Sequence, residues 1–204
     1  MHWIDPDSLP ETAGTFERFV LNPHGEVDGF VLRDKKTVVL VHTPPHMDKE
    51  LTRHLKQGEK VRVRGVRPRG ADLLAAVSVT TAAGREIVDN GPDHDREHPK
   101  VKHAPMAAEG TVELSLFGPK GELRGALLSD GTVLRIGPKE AEQIAALLAP
   151  DAMVAARGDG VQTKHGRVIH VDEIGPDEDR MKRIKKPKPK DKKPKHGHPH
   201  AHAA

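Results

Sequence analysis

The chain has 204 residues, no cysteine, a formal net charge of +3 and a calculated pI near 9.1. Without cysteine it can form no disulfide, no thiolate nucleophile and no cysteine-ligated zinc site. No run approaches the roughly 18 apolar residues of a membrane span, and residues 1–11 lack the basic start and apolar stretch of a signal peptide. We therefore expect a cytoplasmic protein with no membrane partner, divided into two small domains.

The excess of positive charge is concentrated near the C-terminus. Residues 180–195 contain 10 Lys or Arg and one Asp, a net of +9, so the rest of the chain sums to −6. Residues 14–88 carry 13 basic and 9 acidic side chains, net +4, whereas residues 110–175 carry 7 and 9, net −2. The basic pI by itself therefore does not predict a basic folded domain.

The first predicted elements are three strands. An apolar-rich segment at residues 16–21 is followed by a Pro-x-Gly-Glu turn at 23–26 and a second apolar run at 30–32. Asp34-Lys-Lys then reverses the chain into TVVLV at 37–41. Because the connections are short, these strands are predicted to form a meander.

A short helix and two further strands complete the unit. After Pro45, Met47, Leu51 and Leu55 recur every four residues, which predicts a helix started by proline. Alternation resumes in KVRVRG (60–65), and LLAAVSVT (73–80) is predicted as a fifth strand.

The same order of predicted strands and helix occurs a second time in the chain. Residues 14–34 and 110–130 align without a gap and share 9 of 21 residues, including the Pro-x-Gly-Glu-x-x-Gly motif. TVLRI (132–136), KEAEQIAALLA (139–149), MVAARG (153–158) and RVIHVDEI (167–174) then match the later elements. We interpret the chain as a duplicated domain. Gly29 and Gly125, each within a strand, are predicted to allow a tight bend or a close backbone approach.

Three strands, a helix and two strands in roughly 70 residues is the order of the OB-fold, a five-stranded Greek-key barrel. The pattern resembles bacterial OB-fold proteins described as nucleic-acid-binding-like. We predict a mainly β protein with barrels at residues 12–88 and 109–175, a linker at 89–108, and a disordered Lys/Pro- and His-rich tail at 176–204. The resemblance implies single-stranded nucleic acid as the partner, by analogy with the fold.

OB-folds bind a strand with a basic groove and with aromatic rings, on strands 2 and 3 and the loops that join strands 1–2 and 4–5. In the first repeat, the candidate cations follow strand 4 and its loop, and one aromatic residue lies on strand 2; the set is Lys60, Arg62, Arg64, Arg67, Arg69 and Phe30. The equivalent of Phe30 in the second repeat is Ala126, so that repeat is predicted to be structural or to bind a protein partner. An extended basic arm is predicted to add electrostatic attraction to the nucleic acid through Lys185, Lys186, Lys188 and Lys190.

Histidine is abundant, with 14 residues. The alternating tail histidines His196, His198, His200 and His202 have a spacing that suits weak Ni, Zn or Cu binding. His24, His42 and His46 form a second, speculative metal set. No required cofactor is predicted.

Low-specificity, non-enzymatic binding of single-stranded nucleic acid or another polyanion is the leading function from the sequence. No paired acids or activated nucleophile occur at a fixed spacing, so catalysis is not expected. Two alternatives stay open, namely metal buffering or delivery through the histidine tail, and a protein-interaction adaptor that uses the acidic second repeat.

Overall fold

The computed structural model describes residues 5–35, 37–91 and 99–184. The elements of the first half are β1 (Glu11–Leu21), β2 (Val27–Asp34), β3 (Thr37–His42), α1 (Asp48–His54), β4 (Lys60–Val66), β5 (Leu74–Thr80) and β6 (Glu86–Val88). Those of the second half are β7 (Ala104–Phe117), β8 (Leu123–Leu128), β9 (Thr132–Arg135), α2 (Pro138–Gln143), β10 (Met153–Thr163), β11 (Gly166–Gly175) and β12 (Lys182–Arg183).

Each half closes into a five-stranded barrel. In barrel 1 the strands follow the order β3-β2-β1-β4-β5, and β3 pairs in parallel with β5 to close the ring. In barrel 2 the order is β9-β8-β7-β10-β11, closed by the parallel pair β9–β11. A helix lies between the third and fourth strands of each barrel. This order confirms the predicted OB-fold class.

The residues that predicted the elements also fill the core of barrel 1. Val61 and Val63 alternate inward along β4 and are at most 1 % exposed. Met47, Leu51 and Leu55, spaced by four, are all buried under the short helical segment. Their burial explains why a sequence with helical period at this point stays helical, since one apolar stripe faces the barrel.

The two barrels also share their irregularities. The β1–β2 register shifts between Phe16 and Arg18, and the β7–β8 register shifts at the equivalent place, between Val112 and Leu114. The fourth strand of each barrel shifts where an Arg-Gly pair occurs, at Gly65 and at Gly158. We interpret this correspondence as a result of the duplication inferred from the sequence.

Gly29 and Gly125 are required by a close backbone approach, as their position within a strand predicted. A Cβ at Gly29 would lie under 3.0 Å from the carbonyl oxygen of Val41, and one at Gly125 would meet the carbonyl of Leu134 in the same way. Each glycine therefore allows the second strand to come close to the third.

The repeated Pro-x-Gly-Glu motif is a turn that its own glutamate closes. Gly25 has φ +76°, and the side chain of the buried Glu26 accepts a hydrogen bond from Asn22 Nδ2 at 2.8 Å. In barrel 2, Gly121 has φ +82°, and Glu122 Oε2 accepts from the backbone N–H of residue 120 at 3.0 Å. The repeated glutamate thus has a structural role in both turns.

The barrels pack against each other through apolar residues to which all five strands of the barrel 2 ring contribute. Five apolar residues of barrel 2 belong to the same buried cluster as the core of barrel 1: Leu116, Leu127, Val133, Val161 and Val168. A second cluster, which includes Ala126, Leu128 and Leu134, forms the interior of barrel 2. Successive residues of β8 thus face the interior and barrel 1 in alternation, so both faces of this strand are apolar.

Polar contacts lie around the apolar contact between the barrels. Arg33 binds Glu17 within barrel 1 and Glu113 of barrel 2, the latter at 3.1 Å. The Phe19 ring packs edge-on against His165, with ring centroids 5.2 Å apart.

Two strands, β7 and β12, extend beyond the predicted barrel limits. β6 and β12 each add a short strand to the fifth strand of their barrel. β7 begins at Ala104, inside the predicted linker, and β12 lies inside the segment predicted as a disordered tail. β12 pairs with Glu173 and Ile174 of β11, and these backbone hydrogen bonds order a segment whose composition predicted disorder. Neither helix among the described residues has the length and apolar character of a membrane span.

Candidate nucleic-acid interface

The outer face of β4 presents the predicted cations in a row. Because Val61 and Val63 point into the barrel, Lys60, Arg62 and Arg64 point outward, two residues apart. Lys60 and Arg62 are exposed and Arg64 is partly covered, while Arg67 and Arg69 follow in the exposed loop before β5.

The cations of this row differ in how strongly they are already paired. Arg62 lies 4.0 Å from Glu11, and Arg67 lies 3.9 Å from Asp72. Exposed pairs at such distances contribute about 1 kcal/mol or less, so a phosphate can displace them. Lys60 and Arg69 make no ion pair within the described residues. We call Lys60, Arg62, Arg67 and Arg69 the basic strip.

Arg64 is held by the N-terminal segment. Its guanidinium lies 3.4 Å from Glu11 and donates to the backbone carbonyls of Asp7 and Leu9, each at 3.3 Å. Arg64 is therefore the predicted cation least available to a ligand.

Phe30 is fully enclosed in barrel 1. Its side chain is 0 % exposed and its ring packs against Phe16, with ring centroids 5.8 Å apart. No face of the ring is open to a base, so Phe30 is removed from the candidate interface. The sequence did not distinguish the two roles because β2 is apolar on both faces.

Part of the surface on which the OB-fold resemblance placed binding, namely β2, β3 and the turn between β1 and β2, faces barrel 2 in this molecule. The turn between β1 and β2 contacts barrel 2, since an added Cβ at Gly25 would lie 3.0 Å from Val161. β2 and β3 of barrel 1 face β7 to β9 of barrel 2 across a cavity. Among the described residues, the predicted cations lie on the β4 side and its loop, where their side chains are exposed except for the partly covered Arg64.

An ion pair crosses this covered surface. Arg135 of β9 donates to Asp28 Oδ1 at 2.6 Å and, through Nε, to the backbone carbonyl of Leu21 at 2.9 Å. The two charged side chains are only 10 % and 14 % exposed. Burial raises the pKa of Asp28, while Arg135 and His42 oppose that rise.

The strand registers and the repeat alignment give each member of this pair a different residue at the equivalent position of the other barrel. Gly29 pairs with His42 in barrel 1, and Gly125 pairs with Arg135 in barrel 2, so His42 and Arg135 are equivalent. Asp28, which precedes Gly29, corresponds in the same way to Arg124. Sequence analysis missed Asp28, Arg124 and Arg135, and it named His42 only as a speculative metal ligand. The signal was present in the aligned motifs, where Asp-Gly in one copy stands against Arg-Gly in the other.

The three histidines proposed as a metal set are not brought together. His24 lies in the β1–β2 turn, His42 faces the cavity between the barrels, and His46 Nε2 lies 2.8 Å from Asp89 Oδ1. Among residues 5–35, 37–91 and 99–184, no group of three or more histidine or acidic side chains is placed to hold a metal ion.

The remaining predicted site residues lie outside the described part of the chain. They are Lys185, Lys186, Lys188, Lys190, His196, His198, His200 and His202.

The burial of His42 predicts a pH dependence of stability. Burial lowers the pKa of His42, with Arg135 acting in the same direction and Asp28 against it. The unfolded chain therefore binds a proton near the ordinary histidine pKa of about 6.5, before the folded protein does, so stability falls as pH drops through and below this value. His42→Gln is expected to flatten the decline in thermal midpoint between about pH 7 and pH 5.5, a range that spans that pKa.

The exposed His103 provides the matched control. His103→Gln should leave the slope of the wild-type chain unchanged. An equal slope in the wild type and the His42→Gln variant would contradict this account of the burial of His42.

The strand order and parallel closure define the molecule as a mainly β protein of two OB-fold barrels. No protein-family model matches the chain, and no curated protein sequence does. A structural match is a deletion mutant of the single-stranded DNA binding protein from Thermus aquaticus, at 13 % identity and a TM-score of 0.25, covering 89 % of this chain and 96 % of that one. The OB-fold assignment rests on the strand pairing of the chain itself.

Proposed function

We propose that this protein binds single-stranded nucleic acid with low sequence specificity and without catalysis, along the basic strip of barrel 1. The observation that carries the proposal is the row of outward cations on β4 and its loop, which stay exposed although the loop backbone at Arg69 approaches Gly121 of barrel 2. Such a row neutralises backbone phosphates and releases their counterions, a term that does not depend on sequence. The Lys-rich segment that begins at Lys185 adds further phosphate contacts in this proposal.

Low specificity follows from what the strip lacks. Strong stacking on bases needs exposed aromatic rings, and the strip contains none. The chain has four Phe, one Trp and no Tyr, and the Phe30 ring is enclosed. The proposed contacts are therefore to phosphates, and affinity should depend strongly on salt.

Binding of a fluorescent oligo-dT to the full-length protein tests this proposal. For single strands the slope of log K against log salt is about −0.7 per phosphate contact, so the four strip cations contribute about −3, and contacts from the Lys-rich segment make the slope of the full-length protein steeper. Arg62→Gln/Arg69→Gln should make the slope shallower by about 1.4, because two contacts are lost.

Arg53→Gln/Arg85→Gln is the matched control, because it removes the same charge from two arginines that pair with Glu50 of α1. This control should change the slope little. Neutralising Lys185, Lys186, Lys188 and Lys190 together measures the separate contribution of the tail. Absence of binding at low salt, or equal effects of the two arginine pairs, would reject the strip as the binding surface.

Metal buffering through His196, His198, His200 and His202 stays a prediction from the sequence. The adaptor function of barrel 2 likewise stays a prediction.

A further inference from the structure

The cavity between the barrels lies apart from the basic strip and is lined by both halves of the chain. Its volume is about 330 Å³, at the lower end of the range of about 300 to 1,000 Å³ found for small-molecule sites. Apolar side chains from each barrel form part of its wall, among them Val20, Leu40, Leu116 and Ile136. A compact molecule of about the size of one ring matches this volume and wall.

The polar groups in the wall are mainly hydrogen-bond donors and imidazoles. Arg124, Arg135, His42 and His170 line the cavity, and Asp28 is the carboxylate that accompanies them. Asp28 is already paired with Arg135 at 2.6 Å. The second guanidinium, Arg124, pairs with Glu122 at 2.6 Å, so each guanidinium already has one carboxylate partner, and two imidazoles complete the polar part of the wall.

Both guanidinium groups are held in place while keeping donors free. Arg135 uses Nε and Nη2 for Leu21 and Asp28, and Arg124 uses Nε and Nη2 for Glu122, at 3.1 and 2.6 Å. Within the described residues, Nη1 of neither arginine makes a hydrogen bond. Because their partners fix these side chains before a ligand arrives, little side-chain entropy is lost on binding.

We propose that this cavity binds a small anionic molecule, whose carboxylate or phosphate contacts Arg124 and Arg135 and whose apolar part packs against the walls from both barrels. Guanidinium groups suit either anion because their N–H groups match the oxygen spacing of both. The site needs both barrels, so a ligand stabilises their contact as well as the fold of each.

Protonation of His42 is expected to strengthen this binding. Asp28, Arg135 and Glu122 surround His42, and Arg124 and His170 share its cavity. Burial lowers the pKa of His42, so the imidazole is neutral near pH 7 and gains its charge as pH falls below the ordinary histidine range. Anion affinity should rise in the same interval.

Calorimetric titration of the full-length protein with benzoate and with phenyl phosphate tests the proposal, and benzyl alcohol serves as the neutral probe. We expect saturable binding of at least one anion and none of the alcohol. Arg124→Gln should weaken the anion by roughly tenfold or more, the cost expected for a lost charged hydrogen bond. Arg124 is suited to this test because its side chain is 45 % exposed and its loss should leave the fold intact.

Arg53→Gln is the matched control, because it removes an exposed arginine of α1 and should leave the dissociation constant unchanged. Imidazole NMR signals of His42 and His170 should shift on addition of the anion that binds. Failure of both anions to saturate, equal effects of the two arginine variants, or unchanged imidazole signals would overturn the proposal. Oligonucleotide binding by the basic strip would be unaffected by such a failure.

Discussion

Gly125→Ala is expected to destabilise the protein by about 3 kcal/mol or more, combining backbone strain with a steric clash. Gly125 has φ +143°, a conformation that side chains disfavour. The added methyl group would also meet the carbonyl oxygen of Leu134 on the neighbouring strand. Since β8 pairs with β9 at this point, neither strand can move away without breaking the barrel. Urea unfolding monitored by circular dichroism measures the loss.

Gly84→Ala separates strain from the clash. Gly84 has φ +80°, but an added Cβ there would have nothing within 4 Å. We expect a loss of about 1 to 2 kcal/mol, the ordinary cost of a side chain in the left-handed region. Similar losses in the two variants would show that Gly125 is needed only for its backbone angle.

Arg135→Gln is expected to cost about 3 to 5 kcal/mol, because it leaves the buried Asp28 carboxylate without its partner. The same substitution removes the hydrogen bond from Arg135 Nε to the Leu21 carbonyl. A second buried acceptor is therefore left without its donor at the contact between the barrels. Thermal and urea unfolding measure the loss.

Arg85→Gln is the control for the loss of an ion pair as such. Arg85 lies 2.7 Å from Glu50, but its side chain is 53 % exposed, and we expect a change of about 1 kcal/mol or less. The double variant Asp28→Asn/Arg135→Gln should recover part of the lost stability, because Asp28→Asn removes the unpaired carboxylate charge. A double variant no more stable than Arg135→Gln alone would contradict the role given to Asp28.

The pH dependence of the Arg135→Gln variant provides an independent test. Burial already raises the pKa of Asp28, and removal of Arg135 takes away the main opposing charge. The folded variant should then bind a proton that the unfolded chain has released, so its stability should recover as pH falls through the raised pKa. A deficit that stays constant as pH falls would contradict this mechanism.

One pair of equivalent positions differs in the sign of its charge between the two barrels. Asp28 of barrel 1 is equivalent to Arg124 of barrel 2, and His42 is equivalent to Arg135, so barrel 1 supplies the carboxylate that pairs with Arg135. Two copies of the barrel 2 surface would bring arginines together with no equivalent of Asp28, which is unfavourable in a buried contact. The difference between the barrels at these positions accounts for the ion pair across their contact.

The order of strands and helices could be predicted from the sequence because its signals are local. The Pro-x-Gly-Glu turns, the mid-strand glycines and the repeat of Met47, Leu51 and Leu55 each act within a few residues. Because the sequence repeats, the same order of strands and helix was predicted twice from independent residues. The β4 cations could be placed on an outer face because alternation along a strand with one buried side leaves no other arrangement.

The roles of Phe30, Asp28 and Arg135 depended on the tertiary structure. In β2, the alternation of residues does not separate buried from exposed side chains, because one face of the strand meets the barrel core and the other meets the second barrel. Asp28 and Arg135 lie 107 residues apart, and no local pattern joins them. The sequence by itself determined two barrels and their exposed cations, since those follow from short-range periodicity. Only the tertiary structure decided which surfaces cover each other, because that depends on the fit of apolar area and charge between distant segments.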